Sequence, residues 1–205
     1  MSTLQHLHQI YTQYVKLAYL TDVLYHNFAN EKLEENNIDI LIKDSILVAW
    51  SAFARSLLDC LLTENKSENE NRKDDLIAID FFNSQLVNEY LATQNKLKSC
   101  FEVTEFKKSI HKYSLHLTYF NNPEIEEYRR KVFEYFDFIH YAMNNFLIYL
   151  KRVEEFEPIM NKYPLIVLEF STTTPDFKMK ISGEVRGITL LSNLRLFDAL
   201  NDMKF

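Results

Sequence analysis

Glycine and proline are scarce in this chain, with 2 and 4 copies among 205 residues. Sandwiches and barrels of strands need many turns, and turns rely on these two residues, so both architectures are disfavoured. Folds that hold a nucleotide in a glycine-rich loop are disfavoured for the same reason. Long helices with few connections are what the composition favours.

Cysteine and positive charge are also in short supply. Cys60 and Cys100 lack C-x-x-C spacing, which favours buried thiols over a disulfide or a metal site. The net charge of −6 provides no overall attraction for nucleic acid. The sequence opens with no charged-then-apolar leader, and no apolar run reaches the roughly 18 residues that span a bilayer. We therefore expect a cytoplasmic protein that does not enter a membrane.

Apolar residues, which make up 47% of the chain, recur every three or four positions over most of its length. This period is typical of amphipathic helices, because positions three and four apart share one helical face. The first two helices are expected to form an antiparallel hairpin, and the charged segment 64–75 to be a solvated loop. The pattern predicts helices over 3–29, 38–63, 74–96, 104–119 and 123–157.

The period changes after Pro158. Segments 165–170 and 177–185 are short and β-branched or alternating, which predicts a β-hairpin, and a last helix is expected over 190–203. The predicted fold is therefore mainly α, an up-down bundle of about five helices with a short C-terminal β-hairpin and a final helix. We expect residues 1–157 to form the bundle and 158–205 an appendage packed on it, because a lone hairpin is marginal in water.

Two histidines in the segment S-I-H-K-Y-S-L-H are the candidates for chemistry. Histidine near neutral pKa can transfer protons when an RNA 2′-hydroxyl attacks phosphate, and a neighbouring cation stabilises the developing charge. Lys112 shares a helical face with His116, whereas His111 points about 140° away from it. The candidate catalytic residues are His116, Lys112 and His111. The alternative is that His116 is a satisfied interior histidine and His111 a surface one.

Other charged clusters favour structural roles. Metal binding by oxygen ligands needs several carboxylates at one point, and Asp75 and Asp80 have no further carboxylate at helical spacing between them. Asp74 and Asp75 are better placed to favour a helix N-terminus. The triplet Arg129-Arg130-Lys131 splays by about 100° per residue, which fits a solvated face better than a phosphate clamp. No metal and no cofactor is predicted. The remaining histidines have no partner at metal-ligand spacing: His6, His8, His26 and His140.

The segments D-D-L-I-A-I-D-F-F at 74–82 and H-L-T-Y at 116–119 resemble those of a group of bacterial helical proteins. Over about residues 40–150, the helix order resembles the HEPN superfamily (higher eukaryote and prokaryote nucleotide-binding). The resemblance implies a helical domain of bacterial defence or toxin–antitoxin type. In catalytic members an arginine precedes a histidine, and the pair cuts RNA without metal, usually across a dimer. If His116 is that histidine, the arginine is expected at 109–111, which hold Ser109, Ile110 and His111.

Two functions follow as hypotheses. The first is a non-catalytic interaction module, in which the bundle holds a homodimer and the C-terminal hairpin docks a protein partner. The missing arginine and the net negative charge favour it, because lysine lacks the bidentate fork of arginine. The alternative is a metal-independent endoribonuclease that binds RNA and uses His116.

Overall fold

The structure is a computed structural model that describes residues 3–29, 37–64, 76–99, 101–115, 123–163, 167–170, 176–181 and 184–189. The part of the chain before residue 164 is helical where it is described, so the predicted mainly α class is confirmed there. Two short 3-10 helices, Ala78–Phe81 and Glu157–Lys162, accompany the longer ones. The α-helices are α1 Thr3–Ala29, α2 Asn37–Leu62, α3 Ser84–Ser99, α4 Val103–Leu115 and α5 Pro123–Leu150.

Helices α1 and α2 pack antiparallel, which two side-chain hydrogen bonds show. The Trp50 indole donates to Thr21 over 2.8 Å, and two turns further along α2 the Ser56 hydroxyl donates to the Gln13 carbonyl over 2.8 Å. As residue numbers rise along α2 they fall along α1, so the helices run in opposite directions. Leu7, Leu17 and Leu57 belong to the apolar seam that this pairing buries.

Helix α5 runs through the centre of the bundle. Its inner face is buried against α1, α2 and α3, because apolar residues recur on it at helical spacing. Stacked aromatic rings join α4 to α5, with 3.8 Å between the centroids of Phe106 and Tyr135. Aromatic pairs contribute about 0.5–1.5 kcal/mol beyond the area they bury. The buried inner face comprises Phe136, Ile139, Met143, Phe146, Leu147 and Leu150.

Helix α3 begins at Ser84, so the predicted start near residue 74 is wrong. Two local caps explain the later start. The Ile77 amide donates to the Asp80 carboxylate over 2.8 Å and closes a 3-10 turn, and the Leu86 amide donates to the Asn83 side chain over 3.0 Å. Asparagine is among the strongest N-cap residues, because its side-chain oxygen satisfies an amide that the first turn leaves unpaired.

Helix α5 ends at Leu150, although the sequence predicted that it continues to residue 157. Turns follow, and Pro158 lies at the start of the second 3-10 helix, where its missing N–H costs nothing. Phe156 packs on Phe81 with 5.9 Å between ring centroids, and Tyr163 packs on Tyr11 at 5.2 Å. Burying these rings against the end of the bundle favours the turn over further helix.

Three strands are described beyond residue 163, namely β1 Val167–Phe170, β2 Asp176–Ile181 and β3 Glu184–Thr189. They pair antiparallel in the order β1-β2-β3, with Phe170 opposite Phe177. The residues that join them, and residues 190–205, lie outside the described part. The hairpin, its packing on the bundle, the final helix and the boundary at 157 therefore stay predictions.

One stretch of α2, Asp44–Leu62, is long and apolar enough by length and composition to cross a membrane, where the sequence analysis expected none. Half of this stretch is buried inside the bundle, and Trp50, Leu57 and Leu61 are core residues. The core helix of a soluble protein passes the same test, so the stretch is weak evidence for a membrane span. Cytoplasmic localisation stays a prediction.

Candidate functional site

The predicted catalytic residues lie at the end of α4. His111 and Lys112 are in its last turns, where the structure describes the backbone alone, and His116 lies outside the described residues. The pairing of Lys112 with His116 therefore stays a prediction.

The two lysines nearest before this segment are engaged by carboxylates. Lys107 lies 3.5 Å from Asp59 on α2, and Lys108 lies 2.8 Å from Glu105 one turn earlier. Partly exposed ion pairs of this kind contribute little to stability, because water screens them. The two ion pairs instead hold each ammonium group in place, Lys107 beside Asp59 and Lys108 beside Glu105.

Of the three clustered aspartates, the structure describes Asp80. Asp80 accepts a hydrogen bond from the Ile77 amide, which gives it a capping role at a 3-10 turn. Asp74 and Asp75 lie outside the described residues. Among the side chains that the structure describes, no group of three or more His, Cys, Asp and Glu could hold a metal ion.

A buried polar cluster, which the sequence analysis did not identify, lies on α5 and contacts α1. The Tyr14 hydroxyl lies 2.5 Å from Nδ1 of His140, and the Asn144 amide lies 3.0 Å from Nε2 of the same ring. Tyr14 and His140 are almost fully buried, so water does not compete for these bonds. His140 thus ties the centre of α5 to α1.

Burial determines the protonation states of Tyr14 and His140. It lowers the pKa of His140 to about 3 and keeps the pKa of Tyr14 well above its usual range, so both are neutral at pH 7. The Asn144 side-chain nitrogen can only donate, so Nε2 of the neutral ring accepts its hydrogen bond. The ring proton then lies on Nδ1, which donates to the Tyr14 hydroxyl oxygen.

Two further polar side chains of α5 are buried without hydrogen bonds. Asp137 is 5% exposed and Asn145 is 4% exposed. One carboxylate oxygen of Asp137, and both polar atoms of the Asn145 amide, have no hydrogen-bond partner in the described part of the molecule. Burial, with a smaller contribution from the charge of Glu134, raises the pKa of Asp137 to about 8. Unsatisfied buried groups cost about 1–3 kcal/mol each, so they need an explanation.

The α5 cluster could have been found from sequence spacing. Polar residues recur at three- and four-residue intervals within the largely apolar second half of α5, namely Asp137, His140, Tyr141, Asn144 and Asn145. Metal-ligand spacing was the wrong test for His140, because its partners are a tyrosine on another helix and an asparagine four residues on. A neutral, buried imidazole fits core hydrogen bonding better than proton transfer to a substrate.

Cys60 has the properties of an inert thiol. Burial raises its pKa to about 12, and the negative charge of Asp80 adds to the effect. Because the thiolate is the reactive form of cysteine, this thiol is protonated and unreactive at neutral pH. Cys60 is a free thiol that is partly buried against the core, whereas Cys100 lies outside the described residues, so the prediction of two buried thiols stays a prediction.

Comparisons with known proteins identify no relative of this chain. No family model matches it, no curated protein matches it, and no solved structure matches it. The resemblance to the HEPN superfamily therefore depends on the sequence segments at 74–82 and 116–119 and on the order of the helices.

Proposed function

We propose that this chain is a non-catalytic interaction module, a HEPN-like helical bundle of bacterial defence or toxin–antitoxin type. Three groups of the described part that could take part in chemistry have structural roles instead. His140 is neutral and buried, the Cys60 thiol is protonated, and Lys107 is paired with Asp59. None of these groups offers a nucleophile, base or free cation to a substrate.

The outer face of α1 carries the proposal. Leu4 is 46% exposed and Tyr19 is 55% exposed, and Val15 and Val23 are half-buried on the same side. At about 100° per residue these four positions lie within an arc of about 100°. From Leu4 to Val23 the stripe is about 28 Å long at 1.5 Å per residue. The apolar positions from Val15 to Val23 follow one another at four-residue spacing, whereas His8 and Thr12 separate them from Leu4. Exposed apolar surface occurs at protein interfaces.

The partner that we propose for this face is a second copy of the chain. In a twofold dimer the same stripe occurs on both sides, so an antiparallel pair of α1 helices brings Leu4 of one copy near Tyr19 of the other. The stripe alone falls short of the roughly 800 Å² per partner that a stable interface buries, so flanking residues contribute as well. The homodimer implied by the resemblance agrees with this arrangement.

The mass of the full chain in solution tests the dimer. We expect a dimer for the wild type, measured by light scattering across a range of concentrations, and a monomer for Leu4→Glu combined with Tyr19→Glu. The matched control is Gln9→Glu, an exposed position on another side of α1 that leaves the dimer intact. A wild type that stays monomeric, or a dimer that survives the double substitution, contradicts the assignment.

RNA cleavage without metal is the alternative function, which the H-L-T-Y segment favours. The test incubates RNA with wild type and with His116→Ala in the presence of a chelator. The proposed module leaves RNA intact in both samples. Degradation by the wild type that disappears in His116→Ala overturns the non-catalytic assignment and establishes the endoribonuclease.

A further inference from the structure

His8 is a titratable side chain on the outer face of α1, the face on which the proposed dimer depends. The side chain is exposed, and at about 100° per residue its position on the helix lies between those of Leu4 and Tyr19. The His8 ring contacts that of Tyr163, with 6.3 Å between the centroids and 60° between the ring planes. A second copy that covers this face of α1 therefore covers His8 as well.

The antiparallel pairing that brings Leu4 near Tyr19 of the second copy also determines what His8 contacts. His8 comes four residues after Leu4, and Val15 comes four residues before Tyr19. Because the paired helices run in opposite directions, His8 of each copy then faces Val15 of the other. An imidazole that is covered by an apolar side chain loses water, and this loss costs far more for the charged ring than for the neutral one.

The part of α1 that forms this contact has no acid that could compensate a charged His8. Residues 3–21 include no aspartate and no glutamate. Lys16 is the one lysine or arginine among them, next to Val15, and its ammonium group lies 5.7 Å from the centroid of the Phe53 ring on α2. The charge that the α1 helix of a second copy brings beside His8 is therefore positive, which disfavours an imidazolium.

Within the same copy, His8 contacts the end of the second 3-10 helix through Tyr163. Burial raises the pKa of Tyr163, so its hydroxyl is neutral at pH 7. Glu157 begins this 3-10 helix six residues before Tyr163, or about 12 Å away at 2.0 Å per residue. Lys162, which precedes Tyr163 in the sequence, is a cation. This helix therefore places no acid beside His8.

We propose that His8 makes the dimer of this chain sensitive to pH, so that two copies associate while the imidazole is neutral and separate when it is protonated. Histidine is the side chain that ordinarily changes its charge between about pH 5 and 8. Because the dimer favours the neutral ring, association is strongest above this range and weakens as the pH falls through it. The inference rests on the proposed dimer and adds a regulation to it.

The test measures the dissociation constant of the dimer by sedimentation equilibrium of the full chain, at about pH 8 and about pH 5.5. We expect the constant of wild type to be at least about tenfold higher at the lower pH, and that of His8→Gln, which stays uncharged, to be the same at both. His6→Gln is the matched control, because position 6 lies about 160° from His8 around the same helix, and it should respond as wild type does. His8→Lys, which is charged at both pH values, should dimerise at least about tenfold more weakly than wild type at pH 8.

Three results would overturn the role of His8 and leave the dimer in place. They are a wild type with the same dissociation constant at both pH values, a His8→Gln variant that keeps the pH dependence, and a His8→Lys variant that dimerises as tightly as wild type at pH 8. The last comparison needs no acid, so unfolding at low pH does not obscure the result. A wild type that is monomeric at both pH values contradicts the dimer itself, and this inference with it.

Discussion

Two side chains of α5 have pKa values shifted in opposite directions by the same cause. Burial disfavours the charged form, so it lowers the pKa of His140 to about 3 and raises that of Asp137 to about 8. The folded chain thus holds a neutral imidazole and a protonated acid on neighbouring turns. Unfolding exposes both groups to water, and their pKa values return to about 6.5 and 3.9.

Stability is predicted to fall as pH rises from 6.5 to 8. In this window the folded state holds the Asp137 proton and the unfolded state does not, so unfolding releases a proton. The expected loss is on the order of 1–2 kcal/mol, since one pKa unit corresponds to about 1.4 kcal/mol. Below 6.5 the His140 effect has the opposite sign, because the unfolded imidazole binds a proton that the folded one rejects. Urea unfolding at several pH values measures the profile.

The Asp137→Asn variant isolates this effect. It removes the titrating group and keeps the shape, so we expect a nearly flat profile between pH 6.5 and 8 and a variant more stable than wild type at pH 8. Glu154→Gln, at an exposed position, should retain the wild-type slope. If Asp137→Asn keeps the slope as well, then another group is responsible and the protonated state assigned to Asp137 is wrong.

At the scale of elements, periodicity located the helices better than it located their ends. The bounds of α1 agree with the predicted 3–29 and those of α2 lie within one residue of 38–63, because a polar break follows each apolar stripe. The predicted start of α3 and the predicted end of α5 were wrong. A side-chain cap determines where α3 starts, and aromatic packing at the end of the bundle determines where α5 ends. The apolar pattern continues across both boundaries, so it carried no signal for either.

Asn83 is predicted to set the start of α3. Its side chain accepts the Leu86 amide over 3.0 Å, so Asn83→Ala leaves that amide unpaired and should cost about 1 kcal/mol of stability. Asn95→Ala is the matched control, because Asn95 is exposed inside the same helix and alanine has the higher helix propensity. Urea midpoints measure both variants. An unchanged midpoint for Asn83→Ala would show that packing of the Ala78–Phe81 turn, rather than the cap, positions α3.

For the whole molecule, composition predicted the helical class, and the site could not be predicted from it. Scarce glycine and an apolar period at three and four follow directly from the sequence. The environment of His140 depends on Tyr14, 126 residues away, and no local pattern indicates that contact. Composition also cannot decide where α2 lies, because an apolar stretch of this length is expected both in a protein core and in a bilayer.

The location of α2 can be tested through Trp50, the single tryptophan of the chain. Its ring is fully buried and its indole N–H donates to Thr21, so we expect blue-shifted emission that vesicles of brominated lipid do not quench. Thr21→Val controls for this assignment, because it removes the acceptor and should shift the emission and cost about 1–3 kcal/mol. If brominated lipid quenches the emission of wild type, and Thr21→Val leaves that emission unchanged, then α2 lies in the bilayer and its packing in the bundle is excluded. Unquenched emission that responds to Thr21→Val is the expected result, since half of the stretch already has protein neighbours and a bilayer would have to replace them.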